Sequence, residues 1–159
     1  MHNASRENFR AIHDEPMSQG TRCRQLAEYI VFDSPLNMLC DSPSSYEREH
    51  ECTSFIAGIP TVWDHTTVLC GKVSEYIATA RQKGNIWYVG AMTNWEECTI
   101  EIDLSFLGAG DFKAEIFRDG VNAYRYARDY KKELIEIPAD RKLKVRMAPG
   151  GGFAARIYQ

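Results

Sequence analysis

Between Thr21 and Val31 the apolar residues Cys23, Leu26, Ala27, Ile30 and Val31 recur at helical spacing. That spacing predicts an amphipathic helix over residues 21–33 with Thr21 as its N-cap. Ser34-Pro35 ends it, because a proline pushes the residue before it out of the α region. Leu36–Cys40 is a short, mostly apolar run bounded by Pro35 and by Asp41-Ser42-Pro43, and reads as a buried strand of the parallel kind over 35–40. A second helix is predicted over 45–57. Ser44 and Glu47 have the spacing of a capping box, Cys52, Phe55, Ile56 and Ile59 fall on one face, and Gly58 and Pro60 stop it. Residues 1–20 are polar, contain Pro16 and Gly20 and keep no period, so they read as an irregular or extended lead-in.

Beyond Trp63-Asp64 the period changes to two. Ile100, Ile102 and Leu104 alternate with Glu101 and Asp103, and Leu143, Val145 and Met147 alternate with Lys142, Lys144 and Arg146. Such runs are half-buried strands with one wet face. Further strands are expected at about 66–70, 74–82, 86–93, 113–118, 133–137 and 153–158, separated by turn signals such as Lys83-Gly84-Asn85, Asp119-Gly120 and Pro149–Gly152. Val121–Tyr130 reads as a long surface loop. The fold class is therefore mainly β, an antiparallel β-sandwich of about eight strands, preceded by an αβα segment; the boundary near Pro60 gives units 1–59 and 60–159. An αβα segment cannot stand alone, since one strand has no ladder partner, so it should dock on something else.

Charge marks the same boundary. Residues 1–60 hold five Arg, no Lys and nine acids, whereas residues 61–159 hold seven Lys, seven Arg and thirteen acids. The net charge of −3 disfavours nucleic acid or an anionic membrane as partner. No apolar run approaches the roughly 20 residues of a membrane helix, and the N-terminus carries no signal-peptide pattern, which as read would leave the chain cytoplasmic. Five Cys at wide spacings form no C-x-x-C motif and are expected to be buried free thiols.

Candidate chemistry is sparse. His2, His13, His50 and His65 make no metal-ligand spacing, and P-loop, G-x-G-x-x-G and nucleophile-elbow motifs are missing, so neither catalytic residues nor metal ligands are assigned. Gly150-Gly151-Gly152 precedes a strand and no helix, and reads as a hairpin turn rather than a phosphate loop. Asp41 directly follows the predicted strand, where α/β barrels display functional residues, although a lone acid there more often caps a helix. Glu96, Glu97, Glu101 and Asp103 read as a solvated face, so no acid pair is placed for glycoside hydrolysis. Trp87 is assigned to the core and Trp63 to the junction of the two segments. Trp95, Tyr124, Tyr126 and Tyr130 are left as candidates for stacking on a sugar ring.

Several strings carry a resemblance that runs in order along the chain: Glu15–Arg22, Gln25-Leu26-Ala27, Ser34–Pro43, Phe55–Asp64, Trp87–Gly90, Phe117-Arg118-Asp119-Gly120 and Ala148–Phe153. They resemble the end of the catalytic barrel and the C-terminal domain of glycoside hydrolase family 97, bacterial α-glucosidases and α-galactosidases. The resemblance implies that residues 1–59 are the tail of a (β/α)8 barrel and that 60–159 form a C-terminal β-sandwich associated with oligomerisation. It implies that the catalytic and calcium-binding glutamates lie upstream, so this chain alone is inactive and holds no cofactor, calcium belonging to the full-length parent. Asp41 and Ser42 would lie near the active-site face once the missing barrel and N-terminal domain were supplied. The parent would be periplasmic or exported. Without its barrel, the apolar face of 21–40 is expected to drive self-association or to pack differently on the sandwich. A carbohydrate-binding module using Trp95 and the Tyr-rich 121–130 loop, with an oligosaccharide as partner, is the alternative.

Overall fold

The computed structural model describes residues 2–14, 16–39 and 41–159. The lead-in is tied down by two short strands, Asn3–Ala4 (β1) and Ser18–Gln19 (β2), which pair in parallel and close the polar loop between them. Helix α1 follows at Arg22–Val31, with the Thr21 hydroxyl accepting from the Arg24 amide at 3.1 Å as its N-cap. Its apolar stripe of Cys23, Leu26, Ala27 and Ile30 is fully buried.

Residues 34–39 depart from the expected strand over 35–40. They form no ladder; Leu36 and Met38 are each 76% exposed, and Cys40 lies outside the described residues. An apolar run becomes a strand only where a neighbour accepts its backbone hydrogen bonds. Among the described residues none is offered here. Ser34 instead shapes a local turn, its hydroxyl donating to the Leu36 carbonyl at 2.7 Å.

The expected single helix over 45–57 is two helices. α2 spans Pro43–Arg48, with Pro43 at its start and the Ser42 hydroxyl accepting from the Ser45 amide as N-cap, so the Ser44–Glu47 box is not used. α3 spans His50–Ala57 and ends at Gly58. The chain breaks at Glu49, whose ψ of 39° leaves helical geometry as its carboxylate reaches the buried Arg22 guanidinium at 2.9 Å.

Eight strands build the β domain: β3 (His65–Lys72), β4 (Tyr76–Lys83), β5 (Ile86–Thr93), β6 (Cys98–Asp103), β7 (Lys113–Asp119), β8 (Tyr130–Glu136), β9 (Lys142–Met147) and β10 (Gly152–Tyr158). Six form one antiparallel sheet in the order β3-β4-β5-β10-β7-β8, and β6 pairs with β9 in a second layer. The Pro149–Gly152 turn is therefore not a hairpin, because it carries the chain from the edge of the small layer to the middle of the large sheet.

The large sheet is covered on both faces. Ala78, Val89, Ala91, Phe153 and Ile157 pack against Ile100, Ile102, Val145 and Met147 of the two-stranded layer, forming the sandwich core. On the opposite face Tyr88, Phe117 and Ala154 pack with Cys23, Leu26 and Ile30 of α1 and with Cys52, Phe55 and Ile56 of α3. The helical segment thus docks on the sheet through α1, and its exposed apolar remainder is confined to residues after Val31. Gly90 permits this approach: a Cβ there would lie 3.0 Å from the Ala27 carbonyl, from Ile30 Cβ and from Val31 Cγ2.

Candidate functional site

The most constrained part of the molecule is the junction where α1 begins above the sheet. Arg22, in the first turn of α1, is fully buried, and a cation there opposes the helix dipole as well as the low dielectric. Its Nε donates to the Asn3 side chain and its Nη1 to Glu49. Burial alone would lower the Arg22 pKa, yet Glu49 and the neighbouring Cys52 raise it. The same hydrogen bond holds the Glu49 carboxyl below its ordinary range. One buried guanidinium thereby binds the lead-in strand, α1 and the α2–α3 break together.

A buried acid sits at the same helix start, beside Thr21 and Cys23. Asp119, at the end of β7, is 8% exposed, and its Oδ2 accepts the backbone amides of Ala148 at 2.9 Å and Gly152 at 3.1 Å. The Thr21 and Cys23 side chains lie on its helix side. Burial pushes the Asp119 pKa up to about 6, against the pull of those hydrogen bonds. Burial also raises the Cys23 thiol well above its ordinary value, with the Asp119 charge adding to the effect.

The three consecutive glycines fit between these side chains. A Cβ on Gly150 would collide with the Trp95 ring, one on Gly151 with Asp119, and one on Gly152 with the backbone of Arg24. The Gly150 carbonyl accepts from the Thr21 amide at 2.9 Å. Close packing, not a phosphate, explains the run.

The sequence candidates are dispersed by the structure. Asp41 and Ser42 serve the start of α2, with Asp41 Oδ1 accepting from the Ser42 amide at 2.7 Å. Trp95 is half-buried with one face against Gly150. Tyr124 and Tyr126 are exposed, and Arg128 lies over the Tyr126 ring at 5.4 Å. No ring contact joins Trp95 to either tyrosine among the described residues. Tyr130 belongs to β8, stacks at 5.9 Å from Phe117 and donates to Glu51 at 2.7 Å, so it is part of the junction core. The 121–129 loop is more than a surface excursion: Ala123 and Ala127 are buried, and the Ala127 carbonyl accepts from the Arg22 amide at 2.7 Å.

Trp87 packs on Phe106 at 4.5 Å within the sandwich core, and Trp63 meets Tyr88 at 5.3 Å in the junction core. Cys23 and Cys52 are buried free thiols, and Cys70 and Cys98 are half-buried ones. Among the described residues no three His, Cys, Asp or Glu side chains converge as a metal donor set. No helix of the described residues is long and apolar enough to cross a membrane.

Asp119 and the Arg22–Glu49 pair escaped the sequence reading as site residues. A signal for Asp119 existed, since it shares a face with Phe117 two residues earlier on a buried strand.

These features place the chain among known proteins. The family described as "Glycosyl-hydrolase 97 C-terminal, oligomerisation" matches residues 62–158. A retaining alpha-galactosidase from Bacteroides thetaiotaomicron is 61% identical over 157 residues, covering 99% of this chain and 24% of that protein. A probable retaining alpha-galactosidase from Streptomyces bingchenggensis is 27% identical over 131 residues, covering 82% of this chain and 20% of that one. A glycoside hydrolase family 97 enzyme from Pseudoalteromonas sp. strain K8, solved in complex with acarbose, superposes with a TM-score of 0.83 at 37% identity, covering 87% of this chain and 22% of its own. The chain thus spans about a quarter or less of the length of these relatives, and the superposition extends beyond residues 62–158 into the helical segment. Fold, ordered motifs and family match agree that this chain belongs to the C-terminal domain family of glycoside hydrolase family 97.

Proposed function

We propose that this chain is the non-catalytic C-terminal part of a family 97 α-glycosidase of the α-galactosidase or α-glucosidase type, supporting a catalytic barrel and contributing to self-association. The observation that carries the reading is the packing of α1 and α3 on the outer face of the six-stranded sheet, locked by Arg22 and Asp119. A sheet that holds the last helical elements in this way can serve as a rigid back wall for the preceding domain. The exposed apolar stretch Leu36–Leu39 is then the surface left for the remainder of a barrel, with Asp41 and Ser42 on that side. Calcium, the acids that act on the glycosidic bond and the barrel itself belong to the rest of the parent, which is exported or periplasmic.

Hydrolysis of p-nitrophenyl α-galactoside and α-glucoside with calcium present tests the non-catalytic reading. No turnover above buffer is expected from this chain, and turnover that survives repurification would overturn it. A second reading, a carbohydrate-binding module, draws on the exposed rings of Tyr124 and Tyr126. Titration with malto-oligosaccharides should leave the tryptophan emission flat if the first reading holds, and saturable quenching would favour the second.

A further inference from the structure

α1 lies over β5 and β10 and leaves the β3 end of the same sheet face bare. There a depression of about 500 Å³ opens between Val68, Val73, Tyr76, Ile77 and Met92, with Arg24 of α1 as one wall. The wall is fixed, because Arg24 donates to the Thr93 carbonyl at 2.7 Å and to Glu28 at 3.2 Å. Val73, at the tip of the β3–β4 hairpin, is 93% exposed, and Val68 is 66% exposed.

We propose that this depression receives the Val73 tip of a second copy of the chain across a twofold axis, so that each hairpin fills the other's recess. The proposal rests on the self-association reading and names its surface. Apart from Arg24, every residue bounding the depression lies within 62–158, the span whose family is described as an oligomerisation domain. The exposed apolar residues Phe32, Leu36, Met38 and Leu39 lie outside that span.

Charge also favours a second copy. Lys72 and Glu75 flank Val73 and pair with each other at 2.5 Å. A twofold axis between two tips lets each lysine face the partner subunit's Glu75, with no like charges opposed. The free edge of β3 agrees, since His65–Gly71 contains no Lys, Arg, Asp, Glu or Pro, whereas the opposite edge strand, β8, carries Lys131, Lys132, Glu133 and Glu136. Charges on an edge block further pairing, and β3 carries one only at its last residue, Lys72.

Sedimentation velocity over a concentration series, on the chain of 18.1 kDa, provides the test. The wild type is expected to approach twice that mass. V73D and V68D should each weaken the dimer by about tenfold or more while leaving the melting temperature unchanged. K72E should weaken it and K72E/E75K restore it, and L134D, an exposed apolar position on the opposite edge, should change nothing. A dimer indifferent to V73D, V68D and K72E overturns this surface and leaves the self-association reading standing. A wild-type chain that stays monomeric throughout overturns both, and gives the depression to a segment of a longer polypeptide.

Discussion

Replacing Asp119 by Asn and by Ala separates what its charge does from what its oxygen does. Below pH 3.8 the carboxyl is neutral in folded and unfolded chains alike; between 3.8 and about 6 the folded protein holds the proton that the unfolded chain has released. The native state therefore binds more protons over that window, and the contribution of Asp119 to stability falls as pH rises through it. The gap of roughly two pH units corresponds to about 3 kcal/mol at about 1.4 kcal/mol per unit, an upper figure for the cost of ionising the group in place. Asn keeps an oxygen for the Ala148 and Gly152 amides and carries no charge. D119N should therefore gain about 1–3 kcal/mol over wild type at pH 7.5. D119A leaves two buried N–H groups without an acceptor and should lose about 2–5 kcal/mol at every pH. Urea denaturation from pH 4.5 to 8 reads both. Glu49, whose pKa is held down by Arg22, loses stability in the opposite direction as pH falls, and it cancels in the difference between wild type and D119N. That difference should grow from about a third of its full value at pH 4.5 to its full value above about pH 7. A difference independent of pH, or D119N as unstable as D119A, would refute the reasoning.

Other positions give equally direct tests. Glu49→Ala removes the carboxylate facing a fully buried guanidinium that keeps its hydrogen bond to Asn3, and because Glu49 is itself about a third exposed the expected loss is about 2–4 kcal/mol by urea denaturation; an unchanged midpoint would mean that the charge of Arg22 is compensated elsewhere. Gly90→Ala inserts a methyl group between three atoms already 3.0 Å from its position, so α1 must lift, at a cost of about 1–3 kcal/mol and with loss of near-ultraviolet circular dichroism. Leu36→Ser removes a side chain that is 76% exposed, so it should shift stability by less than about 0.5 kcal/mol; a loss above about 1.5 would show that Leu36 is packed after all.

The strands were legible from the turn signals between them, from alternation in strands such as β9, where Leu143, Val145 and Met147 face inward, and from short apolar runs such as β5. α1 was legible for the same reason at helical period, with Thr21 marking its start. What local pattern could not carry was the identity of the neighbours. Leu36–Cys40 has the composition of a buried strand, but a strand needs a ladder partner, and none among the described residues provides one. The break at Glu49 comes from Arg22, 27 residues away, and no window short enough to show a helical period contains both. Gly150–Gly152 announced a turn correctly, while its passage between two layers depends on β9 pairing with β6 and β10 with β5 and β7. The contact of Trp95 with Gly150 was silent too, because a glycine carries no side chain to mark it in the sequence.

The central claim is that the helical segment and the β domain are one piece, since a back wall transmits support only if α1 is as firmly held as the sheet beneath it. Native-state hydrogen exchange of the α1 amides against those of β5 and β10 tests this most directly. Protection of α1 within about tenfold of the two strands, with residues 34–39 exchanging freely, is the predicted result. An α1 that exchanges as fast as residues 34–39 while β5 and β10 stay protected would contradict it.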